Sequence, residues 1–223
     1  FFNMCRPLEL VFSNGMDKGE LVGIQTGDVT QMTTFEEFYD AYKKQMEYCI
    51  SLLVNADNAI DVAHAERVPL PFESCMVDDC ISRGLAVQEG GAVYNFTGPQ
   101  GFGIANMADS LYAIRKLVYE DKKVTMKEYK EALAWNYDKG LDEQSVKDMS
   151  EMILKGMQEG GMNVTEDMAK AVLTTVMRLK PTEEQLRRFT EIHHMIDEVP
   201  KFGNAIDDVD YFARDVAYTY TRP

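Results

Sequence analysis

The segment from Gly90 to Gly103 has the residue types of a binding loop, because glycines alternate there with aromatic and neutral polar residues. Gly98, Gly101 and Gly103 directly precede a predicted helix, and glycines at a helix start leave backbone N–H groups open to an anion such as phosphate. Their order differs from that of the dinucleotide-binding fingerprint, and no Gly-Lys-Ser/Thr follows as it does in a P-loop. The sequence therefore predicts a tightly built loop and gives little support to a phosphate site.

Residues with metal-binding chemistry are arranged less favourably. His193 and His194 are neighbours on a predicted helix, where their side chains point about 100° apart and cannot easily share one ion. Part of a calcium loop is suggested by the aspartates Asp207, Asp208 and Asp210. The glycine and the closing glutamate of that loop are missing, so a solvated helix start explains these carboxylates better. We therefore predict no metal site.

The four cysteines give no sign of nucleophilic chemistry. The four are Cys5, Cys49, Cys75 and Cys80. They form no Cys-x-x-Cys pair, none has a histidine beside it, and we expect none to lie in a cationic setting that lowers the pKa of its thiol. We expect all four to be buried, reduced and structural. Reduced thiols are typical of a cytoplasmic protein.

Composition excludes two classes of partner. The chain has 223 residues, of which 37 are acidic and 23 are basic, so its formal net charge is −14. Such a charge repels phosphate backbones and argues against binding to nucleic acid. No stretch approaches the roughly 18–20 apolar residues that span a bilayer, which argues against a membrane protein. Because the chain starts at Phe1, we also expect it to be a segment of a longer protein.

A long amphipathic helix is the clearest element. Thr34 and Glu37 fit a capping box, and Pro69 and Pro71 would end the helix, so we predict it from Phe35 to about Glu66. One helical face carries the apolar residues Phe35, Phe38, Tyr42, Met46, Cys49, Leu53, Ala56, Ile60 and Ala63.

The remaining chain is predicted to be mostly helical, with short strands and one conspicuous loop. Residues 2–12 suit either a strand or a short helix. Further helices are predicted at residues 72–83, at residues 107–118, from a capping box at Thr125 to about Trp135, from a capping box at Thr182, and at residues 207–221.

Several motifs in register resemble one family. Gly90–Gly101 reads GGAVYNFTGPQG, Ala105–Leu111 reads ANMADSL, Lys116–Glu120 reads KLVYE and Pro200–Asn204 reads PKFGN. Together they resemble the glycyl radical enzymes, which form the pyruvate formate-lyase-like superfamily. The resemblance is greatest to its glycerol/diol dehydratase and choline lyase branches.

This resemblance implies the fold class. Residues 1–223 would be the middle part of a pyruvate formate-lyase-like (PFL) domain, an α/β fold with a ten-stranded α/β barrel, and this segment of it would be mostly helical. The stretch 137–198 is longer than the connection expected at this place. We therefore predict that residues 137–198 form a helical insertion within the domain.

The resemblance also implies radical chemistry located outside this chain. In the family, a glycine radical is installed by a separate activating enzyme that uses S-adenosylmethionine and an iron–sulfur cluster. The radical passes to a cysteine in a Gly-Cys-x-Glu loop, and the thiyl abstracts a substrate hydrogen. Neither that motif nor the glycyl-radical motif Arg-Val-x-Gly-Tyr/Phe occurs here, and we expect them before Phe1 and after Pro223. This segment would then contain no catalytic residue, bind no cofactor and be inactive alone.

What the segment would supply is part of the substrate pocket. The resemblance places six residues near a small-molecule substrate: Tyr94, Asn95, Phe96, Thr97, Gln100 and Phe102. Neutral hydrogen-bonding groups suit a polyol or amino-alcohol, whereas a free carboxylate would favour arginine. The implied enzyme is a lyase or dehydratase that eliminates water or an amine, and the full-length protein would form a homodimer.

Alternatives remain open at this point. Within the family they are formate acetyltransferase and decarboxylase activity. From a different class comes a non-catalytic helical interaction protein. A separate alternative is that the loop residues only brace the barrel. Glu73, which stands where relatives usually have an apolar residue, reaches either the pocket or solvent.

Overall fold

The computed structural model of the protein describes residues 1–136, 143–161 and 181–223, together with Thr165, Met168 and Val172. Helices dominate the described residues. They are α1 (Cys5–Phe12), α2 (Phe35–Arg67), α3 (Pro71–Ser74), α4 (Cys80–Arg83), α5 (Ile104–Ile114), α6 (Met126–Ala134), α7 (Glu143–Glu159), α8 (Glu183–Glu198) and α9 (Asp207–Thr221). Four two-residue strands accompany them: β1 (Phe2–Asn3), β2 (Met16–Asp17), β3 (Glu20–Leu21) and β4 (Gly101–Phe102).

The strands form two separate pairs. β1 and β4 pair in parallel, with Phe2 opposite Gly101, while β2 and β3 form an antiparallel hairpin. The parallel pairing is extended by hydrogen bonds from the Phe2 amide to the Gln100 carbonyl (2.8 Å) and from the Met4 amide to the Phe102 carbonyl (3.1 Å). Both interpretations of residues 2–12 are thus realised in succession, as strand β1 and helix α1.

Helix α2 begins and ends where the sequence predicts. The Thr34 hydroxyl accepts from the Glu37 amide at 3.2 Å, and the Glu37 carboxylate accepts from the Thr34 amide at 3.2 Å. This confirms the predicted capping box, which satisfies backbone donors at the helix start. The helix ends at Arg67, two residues before Pro69.

Only the first half of α2 contributes buried residues. Its buried residues all lie before residue 51: Phe38, Ala41, Tyr42, Gln45, Met46 and Ile50. Farther along, Leu52, Ile60 and Val62 are about half exposed. The predicted apolar face is therefore correct for the first half of the helix, whereas its second half has no buried residue: Ile60 is about half exposed, and Leu53 and Ala63 are partly buried.

The predicted helix at residues 72–83 is wrong as a single element. The structure has two four-residue helices instead, α3 and α4, separated by residues 75–79, of which Asp79 adopts a left-handed conformation with φ of 72° immediately before α4. A left-handed residue breaks the helical hydrogen-bond pattern. Helix α4 ends at Gly84, also left-handed, as the sequence predicts.

The prediction that all four cysteines are buried is also wrong. Cys80 is buried and Cys5 and Cys49 are half-buried, but Cys75 is exposed. Cys75 lies at the C-cap of α3.

The core lies between α5, α9 and the first half of α2. Helix α5 contributes Met107, Leu111 and Ile114, which are almost completely buried. Helix α9 packs against it with Val209, Phe212, Ala213 and Val216. The helical path then continues beyond α5 with wider, π-type hydrogen bonding over Arg115–Glu120.

Helices α6 and α8 are joined by an arginine. Arg188 on α8 donates to the Glu128 carboxylate of α6 at 3.1 Å and to the Lys123 carbonyl at 2.8 Å. The capping boxes predicted at Thr125 and Thr182 are both present.

Helices α7 and α8 lie within the stretch 137–198, part of which is outside the described residues. Its description as an insertion stays a prediction. Because Phe189 and Ile192 of α8 are buried in the core, the last part of that stretch packs as an integral element.

A buried amide fastens the loop before α2 to that helix. Gln45 is completely buried, its Nε2 donates to the Ile24 carbonyl at 2.5 Å, and its Oε1 accepts from the Ile24 amide at 3.2 Å. A Cβ atom at Gly23 would lie only 2.6 Å from that Oε1. The amide therefore satisfies both backbone groups of one loop residue, at a place where only glycine fits beside it.

Substitution of Gln45 tests this contact. In the full-length protein, Gln45→Leu is expected to lower local stability by about 1–3 kcal/mol, because the Ile24 amide and carbonyl lose their partners on the protein side. Hydrogen exchange of residues 21–27, followed by mass spectrometry, should become faster. The matched control is Gln31→Leu at an exposed position, where a change within about 0.5 kcal/mol is expected. Equal effects of the two substitutions would contradict the account.

Candidate functional site

The loop from Gly90 to Gly103 is fixed at its start by an arginine. Arg83 of α4 donates through Nη1 to the carbonyls of Gly90 at 2.9 Å and Gly91 at 2.8 Å. The backbone carbonyls of Leu85 and Ala86 approach Gly91 so closely that no Cβ atom would fit there. Glycine is thus required at residue 91 by close packing of backbone on backbone.

Two of the predicted site residues are hydrogen bonded within the protein. The Asn95 side-chain amide donates to the Val87 carbonyl at 3.0 Å. The Thr97 hydroxyl donates to the Asp61 carboxylate, in the exposed half of α2, at 2.5 Å. In this structure both polar groups brace the loop, so their predicted contact with substrate stays a prediction.

The other four predicted site residues present their side chains on the surface. Tyr94, Phe96 and Phe102 are 86%, 83% and 52% exposed, and Gln100 is exposed as well. The Gln100 backbone carbonyl accepts a hydrogen bond from the Phe2 amide of strand β1. The Gln100 side-chain amide is exposed to solvent. The six predicted residues therefore lie on one short stretch, with three aromatic rings and one amide facing outward.

Tyr220 is a residue of this site that sequence reasoning missed. Its hydroxyl donates to the Pro99 carbonyl at 2.9 Å, and its ring stacks on Phe2 with centroids 5.4 Å apart. A Cβ atom at Gly101 would lie 2.7–2.9 Å from three atoms of the Tyr220 ring. Tyr220 thus closes over the backbone of the loop from helix α9, and no local signal in the sequence points to a contact across 121 residues.

The Tyr220 hydroxyl keeps its proton at neutral pH. Burial, and secondly the nearby Asp57 carboxylate, raise the pKa of this phenol above its ordinary value. Since both effects disfavour the phenolate, the hydroxyl acts as a hydrogen-bond donor toward Pro99.

Glu73 lies on the surface, next to Gln88, shortly before the loop begins. Its carboxylate accepts from the Gln88 side-chain amide at 3.1 Å, and Gln88 in turn accepts from the Leu70 amide at 3.1 Å. Glu73 is exposed in this chain, as are the predicted pocket residues Tyr94 and Phe96, so both alternatives for it stay predictions.

Other chemistry is sparse around the loop. Burial raises the pKa of the Cys5 and Cys49 thiols, which disfavours the reactive thiolate. Among the described residues, no group of three or more His, Cys, Asp or Glu side chains is arranged to hold a metal ion. In the same part of the chain, no helix is long and apolar enough to span a membrane.

A surface hollow of about 550 Å³ lies away from the loop. Residues of α1 and α6 line it together with Asp28 and Asn14, and Lys130 lies 3.8 Å from the Asp28 carboxylate. None of its lining residues belongs to the loop between Gly90 and Gly103. The exposed aromatic and amide groups of the loop therefore remain the candidate binding surface, as one wall of a site.

Comparison with known proteins gives concordant matches along the whole chain. The sequence profile of the family described as "Pyruvate formate lyase-like" matches residues 1–223. A solved structure described as "1,2-propanediol Dehydration in Roseburia inulinivorans; Structural Basis for Substrate and Enantiomer Selectivity" is 58% identical, with a TM-score of 0.91, over 100% of this chain and 27% of that one.

Two further relatives are more distant. The glycerol-bound form of the B12-independent glycerol dehydratase from Clostridium butyricum is 39% identical, with a TM-score of 0.73, over 100% of this chain and 22% of that one. The trans-4-hydroxy-L-proline dehydratase of Clostridioides difficile is 38% identical over 140 residues, which are 62% of this chain and 18% of the relative. The chain therefore spans about a fifth of the length of the curated relatives it matches.

The structural neighbours have the α/β barrel fold of glycyl radical enzymes, and the predicted fold class is confirmed. The short parallel pair of β1 and β4 and the predominance of helices agree with a segment of such a barrel.

The packing of Tyr220 on Gly101 predicts different effects for two neighbouring glycines. In the full-length protein, Gly101→Ala is expected to lower stability by about 1–3 kcal/mol, because the new methyl group must displace a ring that is itself stacked on Phe2. Gly98→Ala is the control, since open space surrounds that position, and should change stability by no more than about 0.5 kcal/mol. Thermal unfolding of the two variants measures the difference. Similar unfolding temperatures would show that the ring does not constrain the loop.

Proposed function

The chain belongs to the pyruvate formate lyase-like family, and on this premise we propose that it is part of the catalytic subunit of a glycyl radical dehydratase acting on a small vicinal diol. Propane-1,2-diol is the candidate substrate. The observation that carries this proposal is the 58% identity, over the whole chain, to a structure described as that of 1,2-propanediol dehydration. The reaction would convert the diol into propanal and water.

The relatives favour elimination of water over the alternative reactions. The identity to the propanediol relative (58%) exceeds that to the glycerol relative (39%) and that to the hydroxyproline relative (38%). All three are described by dehydration chemistry, whereas acyl transfer and decarboxylation were the alternatives left by the sequence. A small uncharged polyol is therefore the favoured substrate class.

The exposed side chains of the loop suit such a substrate. In this proposal Tyr94, Phe96 and Phe102 form an apolar wall that excludes water, and the Gln100 amide donates to or accepts from a substrate hydroxyl. The segment from Gly90 to Gly103 contains no Lys, Arg or His, and so has no cation to bind a carboxylate substrate. Asn95 and Thr97 hold the loop through their hydrogen bonds to Val87 and Asp61.

The radical-bearing residues are assigned to other parts of the full-length protein. Members of this family are activated by a separate radical S-adenosylmethionine enzyme. Because neither Gly-Cys-x-Glu nor the glycyl-radical motif occurs in these 223 residues, this chain's own part is to bind and orient the substrate. We further propose that the segment alone is inactive and that the full-length protein works as a homodimer in the cytoplasm.

An anaerobic assay of the full-length protein tests the function. After treatment with its activating enzyme, it should show a glycine-centred doublet in electron paramagnetic resonance and release propanal from propane-1,2-diol. Glycerol, choline and trans-4-hydroxy-L-proline, at equal concentration, serve as competing substrates and should react more slowly. A preparation that carries the radical signal but does not consume propane-1,2-diol would contradict the proposal.

Gln100 provides a more local test of the loop's role. Gln100→Leu should lower kcat/KM for the diol about tenfold, because one hydrogen bond to a substrate hydroxyl is lost. Gln31→Leu, an exposed glutamine outside the loop, is the control and should leave kcat/KM unchanged. If the two variants are equally active, Gln100 does not contact the substrate.

A further inference from the structure

We propose that Tyr220 and Asp61, which belong to two different helices, are positioning residues that hold the loop backbone from Thr97 to Gly101 in the place required for substrate binding. The link to substrate rests on the proposed function, because it takes this loop as one wall of the diol site. That these two side chains fix the loop rests only on contacts within this chain.

Tyr220 makes three different contacts, two with the loop and one with strand β1. Its hydroxyl binds the Pro99 carbonyl, its ring covers the bare Cα of Gly101, and the same ring stacks on Phe2 at an interplanar angle of 18°. Phe2 is the residue paired with Gly101 in the parallel strands. Tyr220 therefore contacts both strands of this pair at one register position.

Asp61 holds the preceding part of the loop. Its carboxylate accepts the hydroxyl of Thr97, two residues before Pro99. Asp61 lies in the half of α2 that makes no contribution to the core, so its contact with the loop is separate from core packing. The two anchors thus approach the loop from α2 and from α9.

The hydroxyl of Tyr220, which binds the Pro99 carbonyl, argues for this role over a purely structural one. The fully buried residues of α9 end at Val216, and Tyr220 follows in the last turn, where it is half-buried and packs against the edge of the core. Removing its hydroxyl leaves the buried side chains of α9 in place. The hydroxyl therefore acts on the loop rather than on the core.

The experiment compares substitutions that remove one contact each in the activated full-length enzyme. Tyr220→Phe keeps the ring and loses the bond to Pro99, so KM for propane-1,2-diol should rise roughly threefold to tenfold with a smaller change in kcat. Asp61→Leu should raise KM similarly. Asp61→Asn retains an oxygen that accepts the Thr97 hydroxyl and should restore a KM near that of the unaltered enzyme.

Tyr218→Phe is the matched control, because Tyr218 lies on the same helix turn and is 40% exposed, with its ring beneath Arg222. It should leave KM unchanged. The size of the radical signal and the unfolding temperature should be the same for Tyr220→Phe as for the unaltered enzyme. A fall in unfolding temperature with unchanged KM would show a structural role only and would overturn the proposal.

Hydrogen exchange separates this inference from the proposed function. In the full-length protein without activation, peptides covering residues 94–103 should exchange faster in Tyr220→Phe and Asp61→Leu than in Tyr218→Phe. If the enzyme consumes no diol but this difference is observed, the proposed function fails and the anchoring of the loop stands. If exchange is equal in all variants, the anchoring itself is refuted, whatever the substrate.

Discussion

The contact between the Tyr220 ring and the bare backbone of Gly101 is the constraint on which the candidate site depends. Strand β4 consists of only Gly101 and Phe102, and a two-residue parallel pair has too few hydrogen bonds to be stable by itself. The aromatic ring covers this pair and binds the adjoining Pro99 carbonyl, so packing supplies what hydrogen bonding lacks. A side chain at residue 101 would occupy the space of the ring, and for this reason the loop needs glycine there.

The helices determine where this contact forms. Helix α5 starts at Ile104, immediately after the loop, and its buried face packs against α9, which carries Tyr220 in its last turn. The end of the loop and Tyr220, which covers it, are therefore both held by the packed pair of helices α5 and α9. The second half of α2, which has no buried residue, provides a further anchor through Asp61. A rigid helical frame thus presents a loop whose aromatic rings are exposed, an arrangement typical of a binding site assembled with other parts of a protein.

Elements specified by local interactions could be predicted from the sequence, and elements specified by distant contacts could not. The capping boxes at Thr34, Thr125 and Thr182 involve residues three apart, and each marks a helix start in the structure. The single helix expected at residues 72–83 is interrupted at residues 75–79, and neither that break nor the left-handed backbone of Asp79 is marked by a glycine or proline. The loop itself was located by its glycines and by resemblance. Its anchors were missed, since Asp61 and Tyr220 lie 36 and 121 residues from their partners in the chain.

The central claim is that the loop between Tyr94 and Phe102 forms a wall of the site for a small diol. A crystal structure of the full-length protein with bound propane-1,2-diol tests it most directly. We expect the diol to lie against the rings of Tyr94 or Phe96, with one hydroxyl within hydrogen-bonding distance of the Gln100 amide, and the Tyr220 hydroxyl still bound to the Pro99 carbonyl. A diol bound at full occupancy with no atom of this loop in contact would contradict the account.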